Sequence, residues 1–265
     1  MRLGMVSSVD DAAAMRDAGF DYLDVNIVKT LAGTLDDSQW RPPTDLALPA
    51  EAGAVLLPPE LPVVGPQRDV GALTQYMQRV ARRAGQLGIK VLVFGSGKAR
   101  RRPDDVTPDQ AMRQIVEFCR LAGDACAEHD ITLAVEHLKR PETNTINTLG
   151  QLHQVLEKVD HPRVAALVDS YHFGLEPDNH ADDLLSLGGR IAHVHLAEPS
   201  GRHEPGQPAQ PEQAFDFEDF FSLLRKAGYD GRFSLEVKLT GPIDQVCPPC
   251  LATLRQTWDA SAAAV

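Results

Sequence analysis

The sequence has little that would place it in a membrane or carry it across one. A membrane-spanning helix needs about 20 consecutive apolar residues, and no apolar run in these 265 residues approaches that length. The first eight residues lead straight into a strand pattern, without the apolar segment and small-residue cleavage site of a secretory leader. We therefore expect a cytoplasmic protein with no membrane partner.

Positive charge is also scarce. Lys and Arg number 26 against 37 Asp and Glu, so the formal net charge is −11. Proteins that bind nucleic acid need a basic surface, because much of their affinity comes from releasing the counterions of the phosphates. We therefore expect no nucleic-acid partner.

Cysteine is too rare for a disulfide scaffold, with four in the chain. Cys119 and Cys126 stand seven residues apart on a predicted helix and are interpreted as small buried hydrophobic residues. Cys247 and Cys250 have the CxxC spacing of a zinc or redox pair. No second Cys/His pair accompanies them and they open the last predicted helix, so a structural role is favoured over either chemistry.

What the sequence does contain is a regular alternation of strand and helix patterns from end to end. Eight such units without a break in composition predict an α/β protein, a single (β/α)8 TIM barrel covering residues 1–265. A doubly wound open sheet would alternate in the same way, but it usually carries a glycine-rich turn after its first strand, which is missing here. The predicted strands are Leu3–Ser7, Tyr22–Val28, Ala54–Leu57, Lys90–Phe94, Thr132–Leu138, Val164–Asp169, Ile191–Leu196 and Phe233–Leu239.

Four of these strands carry a metal-ligating side chain at their carboxyl ends: Glu136, Asp169, His195 and Glu236. An isolated acid in this position is more often a helix cap or a salt-bridge partner. In a barrel, however, the carboxyl ends of all strands meet at one face, which is where active sites of this fold lie. Three carboxylates and an imidazole in the same position predict one site for a hard divalent cation.

At this point the sequence resembles a known family, the xylose isomerase-like barrels, and within it the sugar phosphate isomerase/epimerase group. The resemblance covers nearly the whole chain, and the segment Glu142–Thr148 also resembles the ketose 3-epimerase branch. The order of the shared motifs, the spacing between them and their placement at strand ends all agree with this family. The motifs that carry the resemblance are Val135–Leu138, Asp169–His172, His193–Glu198, Gly228–Gly231 and Ser234–Glu236.

The resemblance implies that the four strand-end residues hold one divalent cation, usually Mn²⁺, with Mg²⁺, Co²⁺ or Zn²⁺ as substitutes. It also implies that His172 and Arg202 bind the substrate, a small sugar or sugar derivative. A cation that holds the carbonyl and the neighbouring hydroxyl stabilises the enediolate formed when the adjacent proton leaves. Glu136 and Glu236, which come from separate strands, are predicted to remove that proton and to return one. The oligomeric state stays open, a homo-oligomer included.

Other residues admit two interpretations. Lys98 and Arg100–Arg102 form a short basic run after the fourth strand, either a solvated loop or a site for a substrate phosphate or carboxylate. His193 is predicted to orient the site from below or to be a core histidine. Asp24 and Asn26 stand where many members of the family carry a glutamate, which puts the substrate in question and not the metal.

The function suggested by these patterns is a metal-dependent sugar isomerase or epimerase. A lyase or dehydratase acting on a keto-sugar or cyclitol would share the first proton transfer and then expel a β-substituent. From another class, the family also includes phosphodiesterases that cut abasic DNA. A barrel retained only as a binding module is the third alternative, and the complete ligand set argues against it.

Overall fold

The computed structural model describes residues 1–264 and contains a closed barrel of parallel strands. Each strand pairs with the next along the chain, and β1 pairs with β8 to close the barrel. The predicted TIM barrel is therefore confirmed. The strands are β1 Arg2–Ser7, β2 Tyr22–Asn26, β3 Ala50–Ala54, β4 Val91–Phe94, β5 Thr132–Glu136, β6 Val164–Asp169, β7 Ile191–Leu196 and β8 Arg232–Leu235.

Helices follow the strands and surround the barrel. In the described residues none of them is both long and apolar enough to span a bilayer. Short 3₁₀ turns supplement them at several connections. The α-helices are α1 Ala12–Ala18, α2 Ile27–Thr30, α3 Val70–Leu87, α4 Pro108–Ala127, α5 Leu149–Val159, α6 Ser170–Leu175, α7 Ala181–Leu187, α8 Phe217–Lys226 and α9 Ile243–Ala260.

The apolar core has two parts, because every strand has one face toward the helices and one toward the barrel axis. The larger part lies between sheet and helices and takes large side chains such as Phe94, Phe221 and Phe233. The smaller part lies on the barrel axis, where Ala52, Ala54 and Ala134 alternate with a few larger residues. Small residues on the axis leave room at the carboxyl ends of the strands.

Several local sequence signals define the helix boundaries. Thr107 caps α4 with a complete capping box to Gln110, and Pro108 occupies the first helical position. Gly88 ends α3 in the left-handed conformation, with φ of +82°. All four cysteines are free and buried, which agrees with the structural interpretation.

The third strand differs from its prediction: it runs from Ala50 to Ala54, not from Ala54 to Leu57. Its sequence, Ala-Glu-Ala-Gly-Ala, has no β-branched residue and therefore gives no strand signal. The apolar residues that suggested a strand begin with Val55, which leaves the sheet with φ of +61°. In addition, β2, β5 and β8 are shorter than predicted and end at Asn26, Glu136 and Leu235.

Candidate metal and active site

The four predicted metal-ligating residues meet at the carboxyl end of the barrel. Glu136 ends β5, Asp169 ends β6, His195 is the last but one residue of β7, and Glu236 directly follows β8. One potential ligand atom from each lies within 4.8 Å of the others. We call these four residues the strand-end cluster.

The donor atoms of the strand-end cluster fit a bound cation. Among the described residues, Glu136 Oε1 and Asp169 Oδ2 are buried without a hydrogen-bond partner, and burying an unpaired carboxylate oxygen is costly unless a ligand compensates it. His195 Nδ1 lies 3.9 Å from Glu136 Oε1 and 3.0 Å from Glu236 Oε2. Three carboxylates and an imidazole nitrogen are a suitable set for Mn²⁺ or a similar divalent ion.

Helix capping aims one oxygen of Asp169 at the cluster. Asp169 is the N-cap of α6, and its Oδ1 accepts a hydrogen bond from the Tyr171 backbone N–H at 2.7 Å. This bond uses one carboxylate oxygen and leaves Oδ2 directed toward its neighbours. The same turn is hydrogen-bonded to Ala197, the residue after β7. Ser170 Oγ donates to the carbonyl oxygen of Ala197 and accepts from its N–H.

His172 is predicted to bind substrate, and the structure places it against the cluster. Its Nδ1 accepts a hydrogen bond from the Lys139 backbone N–H at 3.2 Å, so the ring proton is on Nε2. Nε2 lies 3.8 Å from both Glu136 Oε1 and Asp169 Oδ2 and has no partner of its own. Burial, assisted by His137 and Arg202, lowers the pKa of His172 to about 2. His172 therefore presents a neutral N–H donor at the cavity.

Arg202, the second predicted substrate residue, contacts Glu236 directly. Its Nη2 lies 2.7 Å from Glu236 Oε2 and 3.9 Å from Asp169 Oδ2. Arg202 has a left-handed backbone, φ +57°, and its guanidinium stacks on the Tyr171 ring at 4.5 Å. Both contacts keep a positive charge beside the strand-end cluster.

The two predicted catalytic glutamates have opposite electrostatic environments. Burial raises the pKa of Glu136 well above its ordinary value, and the charge of Glu236 raises it further. For Glu236, burial works in the same direction, but Arg202 and the bond to His195 outweigh it and lower the pKa. Paired carboxyl groups whose pKa values are pushed apart are typical of acid–base sites.

A cavity of about 200 Å³ lies over the strand-end cluster. Glu136, Glu236, His195, His172 and Arg202 line one side of it. Small or apolar residues from β3, β4 and the loops after them also line it. These are Ala54, Val55, Val93, Gly95, Ser96 and Gly97, with Leu138 and Glu142 from the loop after β5 completing the wall.

Lys98 and Arg100, also predicted to contact substrate, are not among the residues that line this cavity. Lys98 is exposed on the loop after β4. Arg100 is fully buried, and its Nη1 donates to the Phe94 carbonyl oxygen at 3.3 Å. Their role in substrate binding stays a prediction.

Three linked side chains next to Arg202, for which no role was predicted, also adjoin the site. Lys139 Nζ bonds the Tyr171 hydroxyl and lies 3.6 Å from Glu142 Oε1. Glu142 Oε1 is also 3.6 Å from Arg202 Nη1. Their positions in the sequence could have identified these residues. Tyr171 lies between Asp169 and His172, and Lys139 and Glu142 follow Glu136 on the same loop.

Comparison with known proteins agrees with this architecture. The family model described as xylose isomerase-like TIM barrel matches residues 12–249. The chain belongs to this family. The matched residues include strands β2 to β8, the strand-end cluster, His172 and Arg202.

Relatives of this xylose isomerase-like barrel are named as sugar epimerases and isomerases. The ketose 3-epimerase of Arthrobacter globiformis is 31% identical over 136 residues, which are 51% of this chain and 45% of that protein. A putative human (Homo sapiens) hydroxypyruvate isomerase is 24% identical over 192 residues, 71% of this chain and 66% of that protein. The chain spans about half the length of the first curated relatives that it matches.

The fold similarity extends over the whole barrel. The solved D-allulose 3-epimerase of Methylomonas sp. superimposes with a TM-score of 0.79 at 20% identity, covering 97% of this chain and 98% of that one. At this identity the superposition establishes the common fold.

Proposed function

We propose that this protein is a divalent-metal-dependent sugar isomerase or epimerase that works by proton transfer at a carbon next to a carbonyl group. This proposal rests on one observation. Two carboxylates, Glu136 and Glu236, line one small cavity together with His172, a neutral imidazole donor. The names of its relatives, ketose 3-epimerase and hydroxypyruvate isomerase, favour the same class of reaction.

The strand-end cluster would hold the cation, with Mn²⁺ as the best match to three carboxylates and one imidazole. When bound, the cation would supply positive charge to the substrate oxygens and so make the adjacent carbon acidic enough to lose a proton. In the protein alone, Arg202 partly balances the negative charge of Glu236 and Asp169.

The remaining chemistry is carried by side chains. Glu136 and Glu236 reach the cavity from two different strands, so one can remove the proton and the other can return one. We assign His172 Nε2–H to a hydrogen bond with a substrate oxygen, since it has no hydrogen-bond partner among the described residues. A cavity of about 200 Å³ favours a single small sugar over an oligosaccharide.

Solvent deuterium exchange tests this proposal. The Mn²⁺-loaded protein is incubated in D₂O with unphosphorylated and phosphorylated ketoses, 3-keto sugars and hydroxypyruvate, and the products are followed by NMR and mass spectrometry. Deuterium at the carbon next to the carbonyl, with formation of an epimer or isomer, is the expected result. Elimination products would instead indicate a lyase, and no exchange with any compound of the panel would contradict the proposal.

The same preparation is tested for cleavage of an abasic DNA duplex. We expect intact DNA, because the chain carries a net charge of −11 and offers little counterion release. Nicking of the duplex by metal-loaded protein would favour the phosphodiesterase alternative.

A further inference from the structure

A chain of polar side chains lies inside the barrel, one layer below the strand-end cluster. Four residues that are all fully buried form it, and we call them the buried polar chain: Tyr22, Asp24, His193 and Ser234. The Tyr22 hydroxyl lies 2.9 Å from Ser234 Oγ, which lies 3.0 Å from His193 Nε2. A barrel axis is ordinarily filled with apolar side chains, so this buried polar chain requires an explanation.

Asp24 connects the buried polar chain to the strand-end cluster. Its Oδ2 lies 3.2 Å from His193 Nε2 and 3.4 Å from His195 Nε2. A carboxylate accepts hydrogen bonds and donates none. His195 Nε2 makes no hydrogen bond within the described residues, and Asp24 Oδ2 is the carboxylate oxygen that faces it.

The two nitrogens of His195 face different carboxylates. Nε2 faces Asp24, whereas Nδ1 faces Glu236 and Glu136 inside the strand-end cluster. A neutral imidazole has one N–H and one lone pair. If Nε2 holds the N–H, the lone pair is on Nδ1, where the other three donors of the cluster are.

We propose that Asp24 is a positioning residue that holds His195 in the Nε2–H tautomer, so that Nδ1 is the atom available to a cation. Tyr22, Ser234 and His193 hold Asp24 in turn, through His193 Nε2. Carboxylates that bind the second nitrogen of a metal-ligating histidine orient the ring and increase its basicity. This inference rests on the proposed cation site and adds a residue that is not itself a ligand.

The tight packing of the buried polar chain supports a built arrangement. Gly4 on β1 faces the Tyr22 ring, and a Cβ at this position would overlap the ring atoms. Only glycine therefore leaves space for Tyr22 to reach Ser234 from β2. In the middle of the buried polar chain, Ser234 stands beside His195 in the register of β7 and β8, so these strands fix it next to the strand-end cluster.

The first test measures the protonation of His195 in the wild-type protein. Nitrogen-15 NMR of histidine side chains is recorded with and without Mg²⁺, a diamagnetic probe, and His193→Gln assists the assignment. In the Mg²⁺-loaded protein we expect His195 to carry its proton on Nε2 and to have an unprotonated Nδ1. A proton on Nδ1 with a free Nε2 would overturn the inference.

The second test measures Mn²⁺ affinity by calorimetry for the wild type, Asp24→Asn and a control, Asp17→Asn, in which the exposed Asp17 is changed. We expect Asp24→Asn to bind Mn²⁺ about 10–100-fold more weakly and Asp17→Asn to match the wild type. A folded Asp24→Asn with wild-type affinity would overturn the inference while leaving the proposed function intact.

Stoichiometry separates the remaining outcomes. Asp24, His193 and His195 could themselves surround an ion, so two Mn²⁺ per wild-type chain and one in Asp24→Asn would make Asp24 a ligand and overturn the positioning role. A wild type that binds no Mn²⁺ at all would defeat the proposed function together with this inference.

Discussion

The two halves of the barrel contribute different things to the candidate site. The half from β5 to β8 supplies every member of the strand-end cluster, and the connections that follow these strands supply His172 and Arg202. The half from β1 to β4 lines the same cavity with small or apolar residues such as Ala54, Val55 and Gly95. The comparison indicates that the half from β5 to β8 carries the chemistry, and we call it the chemical half. The half from β1 to β4 sets the shape of the cavity, and we call it the shape-giving half.

This division has a geometric reason. Four ligating groups must approach within a few ångströms to bind one ion, and neighbouring strands bring them there because parallel strands lie about 4.8 Å apart. Asp169 and His195, for example, are aligned partners on β6 and β7. The opposite half then has to leave space, and small side chains do so. Substitutions in the two halves should therefore affect different kinetic constants.

The largest effect is expected for Glu136→Gln and Glu236→Gln, both in the chemical half. An amide can neither accept nor return the proton, and loss of a positioned acid or base costs about 10²–10⁴-fold in kcat. Steady-state kinetics with saturating Mn²⁺ provide the measurement. Glu60→Gln, which changes an exposed glutamate, is the matched control. Near-wild-type turnover in either cluster variant would refute the two-glutamate mechanism.

Removal of the cation should come next, lowering both the activity and the Tm. Burial raises the pKa values of Glu136 and Asp169, so in the cation-free folded protein these two groups retain protons at pH values where they are ionised in the unfolded chain. Cation binding must displace those protons, so the stabilisation that the cation provides should increase as the pH rises.

Differential scanning calorimetry with Mn²⁺ or with chelator, from about pH 5 to pH 8, checks the cation effect. The Tm difference should increase with pH, and Asp169→Asn should reduce it. A difference that is absent or independent of pH would contradict the assignment of these carboxylates.

Gly95→Ala tests the boundary between the two halves. A Cβ on Gly95 would overlap Glu136 Oε2, so a residue of the shape-giving half should displace a carboxylate of the chemical half. We expect kcat to fall by about 10² or less, in line with the sensitivity of catalysis to misplaced groups. Gly189→Ala is the matched control, because nothing lies within 4 Å of a Cβ there. Equal kinetics in both variants would mean that Glu136 tolerates the shift.

The smallest effect is expected for Val55→Ala, entirely within the shape-giving half. Val55 lines the cavity and is 39% exposed, so trimming it removes apolar contact without changing any charge. KM should rise by less than about 10-fold, with kcat unchanged. Val70→Ala, at another exposed valine (47%), serves as the control. A large fall in kcat would show that Val55 does more than shape the cavity.

The difference between the halves also explains which parts of the structure were predictable. Strands β6 and β7 match their predicted bounds, because β-branched and other apolar residues predominate in them and a polar residue, Asp169 or His195, marks the end of each. Strand β3 was misplaced because Ala and Gly carry no β signal. The strand belongs to the barrel through its pairing with β2 and β4, which local propensity does not report.

The basic run after β4 shows the same limit. A run of Lys and Arg predicts a solvated or ligand-binding loop, but Arg100 turns inward and lies over the Phe94 ring at 5.5 Å. Burial lowers its pKa to about 10, against the opposing charge of Glu136. The direction that a loop side chain takes depends on packing against α4 and the sheet, and residue type alone does not specify it.

The sequence by itself determined the barrel and the order of the strand-end cluster, because alternating apolar segments and the polar residues that end them are local features. Only the tertiary structure decided which oxygens stay unpaired, which nitrogen of His172 carries its proton, and that Asp24 reaches His195 from below. These features depend on distances between strands that are far apart along the chain, such as β2 and β7. Closure of the barrel sets those distances, and no local pattern records them.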